Sequence, residues 1–296
     1  MLTTQTSHII SIDDIDKKEM IALFEKAKWP IDRELTGKVM ATLFYEPSTR
    51  TRLSFESACL KLGGSVIGFN DTATSSVEKG ETLSDTIRIV QGLSDLIVLR
   101  HPKEGAARLA TEFSSVPIIN AGDGSNEHPT QTLTDIFTLW DTFDDINNLE
   151  IGLAGDLKYS RTINSLVRGL KHFSPKISFI CSPELEPPPR TLDVLKENRI
   201  KFAFYRSYEE IIDRLDVLYM TRRQLERSNL EEDAPLLFSL KTLEKAKPTL
   251  KILHPLPRQK ELPVEIDKTD HALYFKQAHN GLIVRQALIH TLLRGL

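Results

Sequence analysis

Cysteine is scarce in this 296-residue chain: there are two, Cys59 and Cys181, far apart and without a CxxC spacing. That excludes a disulfide scaffold and argues against structural zinc, and it predicts two reduced, buried thiols in a cytosolic protein. No uninterrupted apolar run approaches the ~20 residues a membrane-spanning helix needs, so no membrane role is expected. Neither sign of charge dominates. Lys plus Arg is 38 and Asp plus Glu is 41, giving a formal net charge of -3 with no basic run. Nucleic acid is therefore not an expected partner, and any anion site must be local. The polar, acidic start up to Asp16 has no basic or apolar leader region, so no signal peptide is expected. The sequon Asn70-Asp71-Thr72 then carries no consequence. There is no fixed-period repeat and no low-complexity tract. With 40% apolar and 27% charged residues, the composition is that of a soluble globular protein. The length suits two domains.

What is present is a recurring unit: a short apolar run, a polar or glycine-bearing turn, then an amphipathic stretch. Runs that read as buried strands are 39–44, 96–99, 116–119, 151–154, 177–180, 201–204, 217–220 and 251–253. Helical patterns lie between them, at 53–62 (stopped by Gly63-Gly64) and 83–93. Others are at 130–143 and 162–170. Continuous apolar strands alternating with helices predict an α/β protein of two domains, each a central, mainly parallel sheet flanked by helices. We place the first domain at 1–130 and the second at 131–280. The amphipathic segment 281–296 is assigned back to the first domain, although periodicity alone leaves its side open. A nicotinamide-dependent dehydrogenase would share such a fold. Its Gly-x-Gly-x-x-Gly is missing: Gly152-Leu153-Ala154-Gly155-Asp156 follows a strand without that spacing.

One turn breaks a local rule. The strand ending at Phe44 runs into Tyr45-Glu46-Pro47-Ser48-Thr49-Arg50-Thr51-Arg52, where a helix begins. A helix N-terminus offers unpaired N–H groups and partial positive charge. Ser48 or Thr49 alone would read as an ordinary N-cap. Two arginines in the first turn oppose the helix dipole unless an anion offsets them, and rule-breaking of this kind marks function.

These residues carry a resemblance. Pro47-Ser48-Thr49-Arg50-Thr51-Arg52 followed by Ser54-Phe55-Glu56 resembles the carbamoyl-phosphate loop of the aspartate and ornithine carbamoyltransferases. Six further motifs stand in family order over nearly the whole chain: 75–82, Arg100-His101-Pro102, His128-Pro129-Thr130-Gln131, 156–162, Thr221-Arg222-Arg223-Gln224 and His254-Pro255-Leu256-Pro257-Arg258. The resemblance implies transfer of the carbamoyl group of carbamoyl phosphate to L-aspartate, the second step of de novo pyrimidine biosynthesis, in the cytoplasm and without metal or organic cofactor.

It also implies roles. Ser48, Thr49, Arg50 and Thr51 would hold the phosphate, while Arg52 is expected to be a structural ion-pair partner. Arg100 would bridge phosphate and carbonyl oxygen. Thr51, Arg100 and His128 would form an oxyanion site. Gln131 and the carbonyls around Pro255, Leu256 and Pro257 would read the carbamoyl NH₂. Arg161 and Arg222, two planar forks, would take the two carboxylates of aspartate, with Gln224 beside them. A lone arginine at either place would read as a surface charge. Ser75 and Lys79 would reach into a neighbouring subunit's site, so the active form would be a homotrimer with shared sites. Ornithine carbamoyltransferases are the competing reading. They carry His-Cys-Leu-Pro where this chain has His254-Pro255-Leu256-Pro257, and Arg222 would repel an ammonium-bearing side chain. An inactive scaffold would be expected to lose the phosphate loop or the lysine, and both stand. Two departures from the family pattern are Glu78, where a second lysine is common, and a shorter stretch between Gln224 and Leu253. Whether separate regulatory chains or a dihydroorotase associate is open at this level.

Overall fold

In the computed structural model the described residues are 8–70, 78, 80–223 and 237–294. They form two compact units, one running to Thr134 and resuming at Asn280, the other Asp135–His279.

In the first unit the order is α1 (Lys17–Ala27), β1 (Val39–Phe44), α2 (Thr49–Lys61), β2 (Ser65–Phe69), α3 (Leu83–Val90), β3 (Leu96–His101), α4 (Ala106–Thr111) and β4 (Ile118–Asp123), followed by α5 (Pro129–Phe143). The second unit holds β5 (Glu150–Gly155), α6 (Arg161–Leu170), β6 (Lys176–Ile180), α7 (Pro189–Glu197), β7 (Phe202–Tyr205), β8 (Val217–Thr221), α8 (Leu240–Leu243) and β9 (Lys251–Leu253), and then α9 (Tyr274–Arg294) begins. The boundaries between units fall inside α5 and α9. Among the described residues no helix is long and apolar enough to cross a membrane.

Every pairing within the two sheets is parallel. The first sheet runs β2-β1-β3-β4 and the second β7-β6-β5-β8-β9. The inner strands are buried on both faces, which is why β1, β3, β5 and β8 read as unbroken apolar runs. The edge strand β2 is exposed along most of its length, and the sequence pattern does not reveal it. Its Gly68 interrupts the run for a packing reason. A Cβ there, at φ +143°, would stand 2.0 Å from the Thr42 carbonyl oxygen of β1.

The same lock closes the amino end of each sheet. Asp95, just before β3, accepts the Val39 N–H of β1 at 2.8 Å and pairs with Lys38 at 2.7 Å. Asp216, just before β8, accepts the Glu150 N–H of β5 at 2.9 Å and pairs with Lys247 at 2.7 Å. Both locks therefore sit at the opposite end of the strands from the carboxyl ends, where ligands bind in open α/β sheets.

Candidate active site

In each unit the strand order reverses once, and the described candidate residues follow the strands at that reversal or the strand next to it. In the first sheet the chain steps from β1 outward to β2, then returns to β3 on the other side of β1. The turn after β1 carries Ser48, Thr49, Arg50 and Thr51 into α2, and Arg100, the penultimate residue of the adjacent β3, lies directly opposite Phe44. His128 follows the carboxyl end of β4, the next strand. Parallel pairing thus brings three segments, separated by tens of residues, to one edge.

The α2 terminus differs from those of α1, α3 and α8. Asp16, Thr82 and Ser239 each accept an N–H from the first turn of the helix they precede. Ser48 makes no such bond, and the first turn of α2 has no acidic side chain. Its first-turn amides are therefore not taken by the N-cap hydroxyl, while Arg50 adds charge at the positive end of the dipole. Thr51 is buried and Arg50 is exposed. Arg52 stands 3.7 Å from Glu56 one turn on, the ion pair expected of it.

Arg100 is held from the side by a residue that the sequence reading passed over. Its Nη2 lies 2.8 Å from Glu46. Glu46 sits inside the same turn as the arginines, and the strand order is needed to see that β3 ends beside it. His128 is buried, with the Thr130 hydroxyl 3.4 Å from Nδ1. Gln131 lies on the first turn of α5, its N–H bonded to the His128 carbonyl at 3.0 Å.

The second unit repeats the plan. Its reversal lies between β5 and β8, whose ends pair Gly155 with Thr221. Arg222 is the residue after β8, and its Nη1 donates to the Arg223 carbonyl at 2.9 Å. Arg161 opens α6 after the β5 turn and is buried to 6% exposure, far from the surface charge a lone arginine suggests. The N-cap Ser160 again makes no bond to its own helix's amides, its hydroxyl meeting Thr162 at 2.9 Å instead. Pro255, Leu256 and Pro257 follow β9, the neighbour of β8. Leu256 has φ +56°, and its bond to Pro257 is cis. Arg258 closes the motif on Asp267, with Nη2 to Oδ2 at 2.6 Å. Three of the positions that the resemblance implicates, Ser75, Lys79 and Gln224, lie outside the described residues.

The two cysteines take no part in this arrangement. Burial pushes the Cys59 thiol up to about 11 and the Cys181 thiol to about 12, so both are neutral at physiological pH.

Comparison with known proteins bears on the chain as a whole. Residues 7–141 match the profile of the aspartate/ornithine carbamoyltransferase carbamoyl-P binding domain, and residues 147–292 that of the Asp/Orn binding domain. The aspartate carbamoyltransferase catalytic subunit of Wigglesworthia glossinidia brevipalpis is 48% identical over 97% of this chain and 96% of that protein. The catalytic subunit of M. jannaschii aspartate transcarbamoylase superposes with a TM-score of 0.84 at 44% identity, covering 97% of each chain. Aspartate transcarbamoylase from Trypanosoma cruzi, in complex with N-(phosphonacetyl)-L-aspartic acid, gives a TM-score of 0.91 at 32% identity over 98% of this chain and 96% of that one. With both halves matched in order and nearly the full length covered, this chain belongs to the aspartate/ornithine carbamoyltransferase family.

Proposed function

We propose that the protein transfers the carbamoyl group of carbamoyl phosphate to the amino group of L-aspartate, giving N-carbamoyl-L-aspartate and phosphate. The observation that carries the reading is the pair of arginines, Arg161 and Arg222, at the switch point of the second unit. Two forks suit a dicarboxylate and oppose an ammonium-bearing side chain. The close relatives named aspartate carbamoyltransferase support the same choice.

In this reading the amide groups at the start of α2, with Ser48, Thr49, Arg50 and Thr51, bind the phosphate. The neutral amine of aspartate attacks the carbamoyl carbon, forming the new N–C bond. Thr51, Arg100 and His128 stabilise the oxyanion of the tetrahedral intermediate, where losing one donor typically costs about 10²–10³ in kcat. The C–O bond to phosphate then breaks, and the proton released by the amine leaves on the phosphate. Gln131 and the Pro255 and Leu256 carbonyls orient the carbamoyl NH₂, and Gln224 assists at the aspartate side chain. Holding amine and carbonyl together supplies much of the remaining acceleration. Ser75 and Lys79 act from a neighbouring subunit of a cytoplasmic homotrimer. The lysine's charge also favours a neutral amine.

Incubation with carbamoyl phosphate and radiolabelled aspartate, with ornithine in parallel, tests the reaction. Labelled carbamoyl-aspartate is the expected product, and citrulline formed in the ornithine incubation with no carbamoyl-aspartate formed from aspartate would overturn the assignment. Mixing inactive Lys79→Ala and Arg50→Ala proteins tests the shared site. Activity should return once subunits exchange, and exchange without activity removes the trans-acting lysine.

A further inference from the structure

Behind the Leu256 turn lies a buried polar chain that the reaction as described does not use. The Leu256 N–H donates to Nδ1 of His254 at 2.8 Å. A ring nitrogen that accepts carries no proton, so the proton sits on Nε2, which meets Glu261 at 3.0 Å. Glu261 also accepts the Gln259 N–H at 2.8 Å. The backbone N–H of His254 donates to the Gln277 side-chain oxygen at 2.9 Å, and the Gln277 amide donates to Asp135 at 2.6 Å. The Tyr219 hydroxyl on β8 completes the chain to Asp135 at 2.8 Å. His254, Gln277, Asp135 and Tyr219 are each at most 2% exposed.

Buried polar groups are costly unless satisfied, and an apolar core would hold α5, β8 and α9 together without them. What this chain does that an apolar core cannot is fix a backbone amide. Leu256 is held at φ +56°, a conformation a leucine seldom adopts, and the His254 acceptor reaches it from two residues back. A second His-Pro turn follows β3. There His101 Nδ1 accepts the Lys103 N–H at 3.0 Å, but no carboxylate locks its other nitrogen among the described residues.

We propose that His254, locked by Glu261, is a positioning residue that fixes the Pro255–Leu256 peptide plane through its N–H and so aims the Pro255 carbonyl, on the opposite side of that plane, at the carbamoyl NH₂. The proposal rests on the carbamoyl-transfer reading given above.

The test uses the ratio of two affinities on the full-length protein, for carbamoyl phosphate and for inorganic phosphate, which lacks the NH₂. His254→Gln keeps a donor towards Glu261 but loses the acceptor for Leu256. The preference for carbamoyl phosphate should fall about two- to tenfold, the value of one net hydrogen bond, with phosphate binding unchanged. Turnover should fall about 10–10²-fold while the aspartate KM stays within about twofold. In His254→Asn the side-chain oxygen replaces Nδ1, and the preference should be retained. A folded His254→Gln protein with its preference intact overturns the proposal, as does an equal weakening of both ligands in both variants. Should the Gln variant not fold, the ¹⁵N histidine spectrum of the unaltered protein decides. An Nε2–H tautomer supports the proposal and an Nδ1–H tautomer overturns it. Wild-type formation of carbamoyl-aspartate reports separately on the underlying reading.

Discussion

The start of α2 makes a quantitative prediction about Arg50. The first turn of that helix has no acidic side chain, and Ser48 does not cap its amides. An anion should therefore bind there and stabilise the folded state by mass action. At inorganic phosphate 100 times its Kd, the gain is about 2.7 kcal/mol. Arg50→Gln removes a charge-assisted contact worth about 1.5–3 kcal/mol, which weakens Kd about 10–150-fold. At the same phosphate concentration the gain then drops to about 0.3–1.4 kcal/mol. Without phosphate the variant should differ little. Relieving a cation at the positive end of the dipole changes stability by only about 0.3–1 kcal/mol at an exposed site, and Arg50 is exposed. The assay is urea unfolding at 25 °C with and without phosphate, at constant ionic strength. A Gln variant that gains as much from phosphate as the unaltered protein would refute the assignment of this helix end as an anion site.

Other consequences are as direct. Tyr219→Phe takes one of the donors from buried Asp135 and should lower stability by about 1.5–3 kcal/mol in urea unfolding; an unchanged midpoint would show that the network tolerates the loss. Gly68→Ala should cost more than about 2 kcal/mol, because its Cβ would meet the Thr42 carbonyl. Gly37→Ala, at φ +82° with nothing within 4 Å, should cost only about 1 kcal/mol, and equal losses by calorimetry would contradict the contact. Burial raises the Glu261 carboxyl, but hydrogen bonds from His254 and the Gln259 N–H outweigh it and hold it below its ordinary 4.5. A depressed folded value adds stability above 4.5 that is lost as pH falls through that lower value. The unaltered protein's advantage over Glu261→Gln should shrink on acidification below about 4.5, and an advantage that grows there would reverse the sign.

Much of this protein was legible in one dimension. Buried parallel strands announce themselves as unbroken apolar runs, so eight of the nine sheet strands among the described residues were read without coordinates, and β2 escaped because Gly68 and its exposed edge disguise it. The arginines at the start of α2 stood out because they oppose a helix dipole, a purely local effect. Other features have no local signature. That Arg161 is buried, that Glu46 holds Arg100, and that Asp135, Gln277 and His254 form one chain depend on which strands and helices lie side by side. Hydrogen bonds and desolvation act over a few ångströms in space, whatever the distance along the chain. The residue order therefore determined the elements and the charges they carry, while the strand order decided which of them meet.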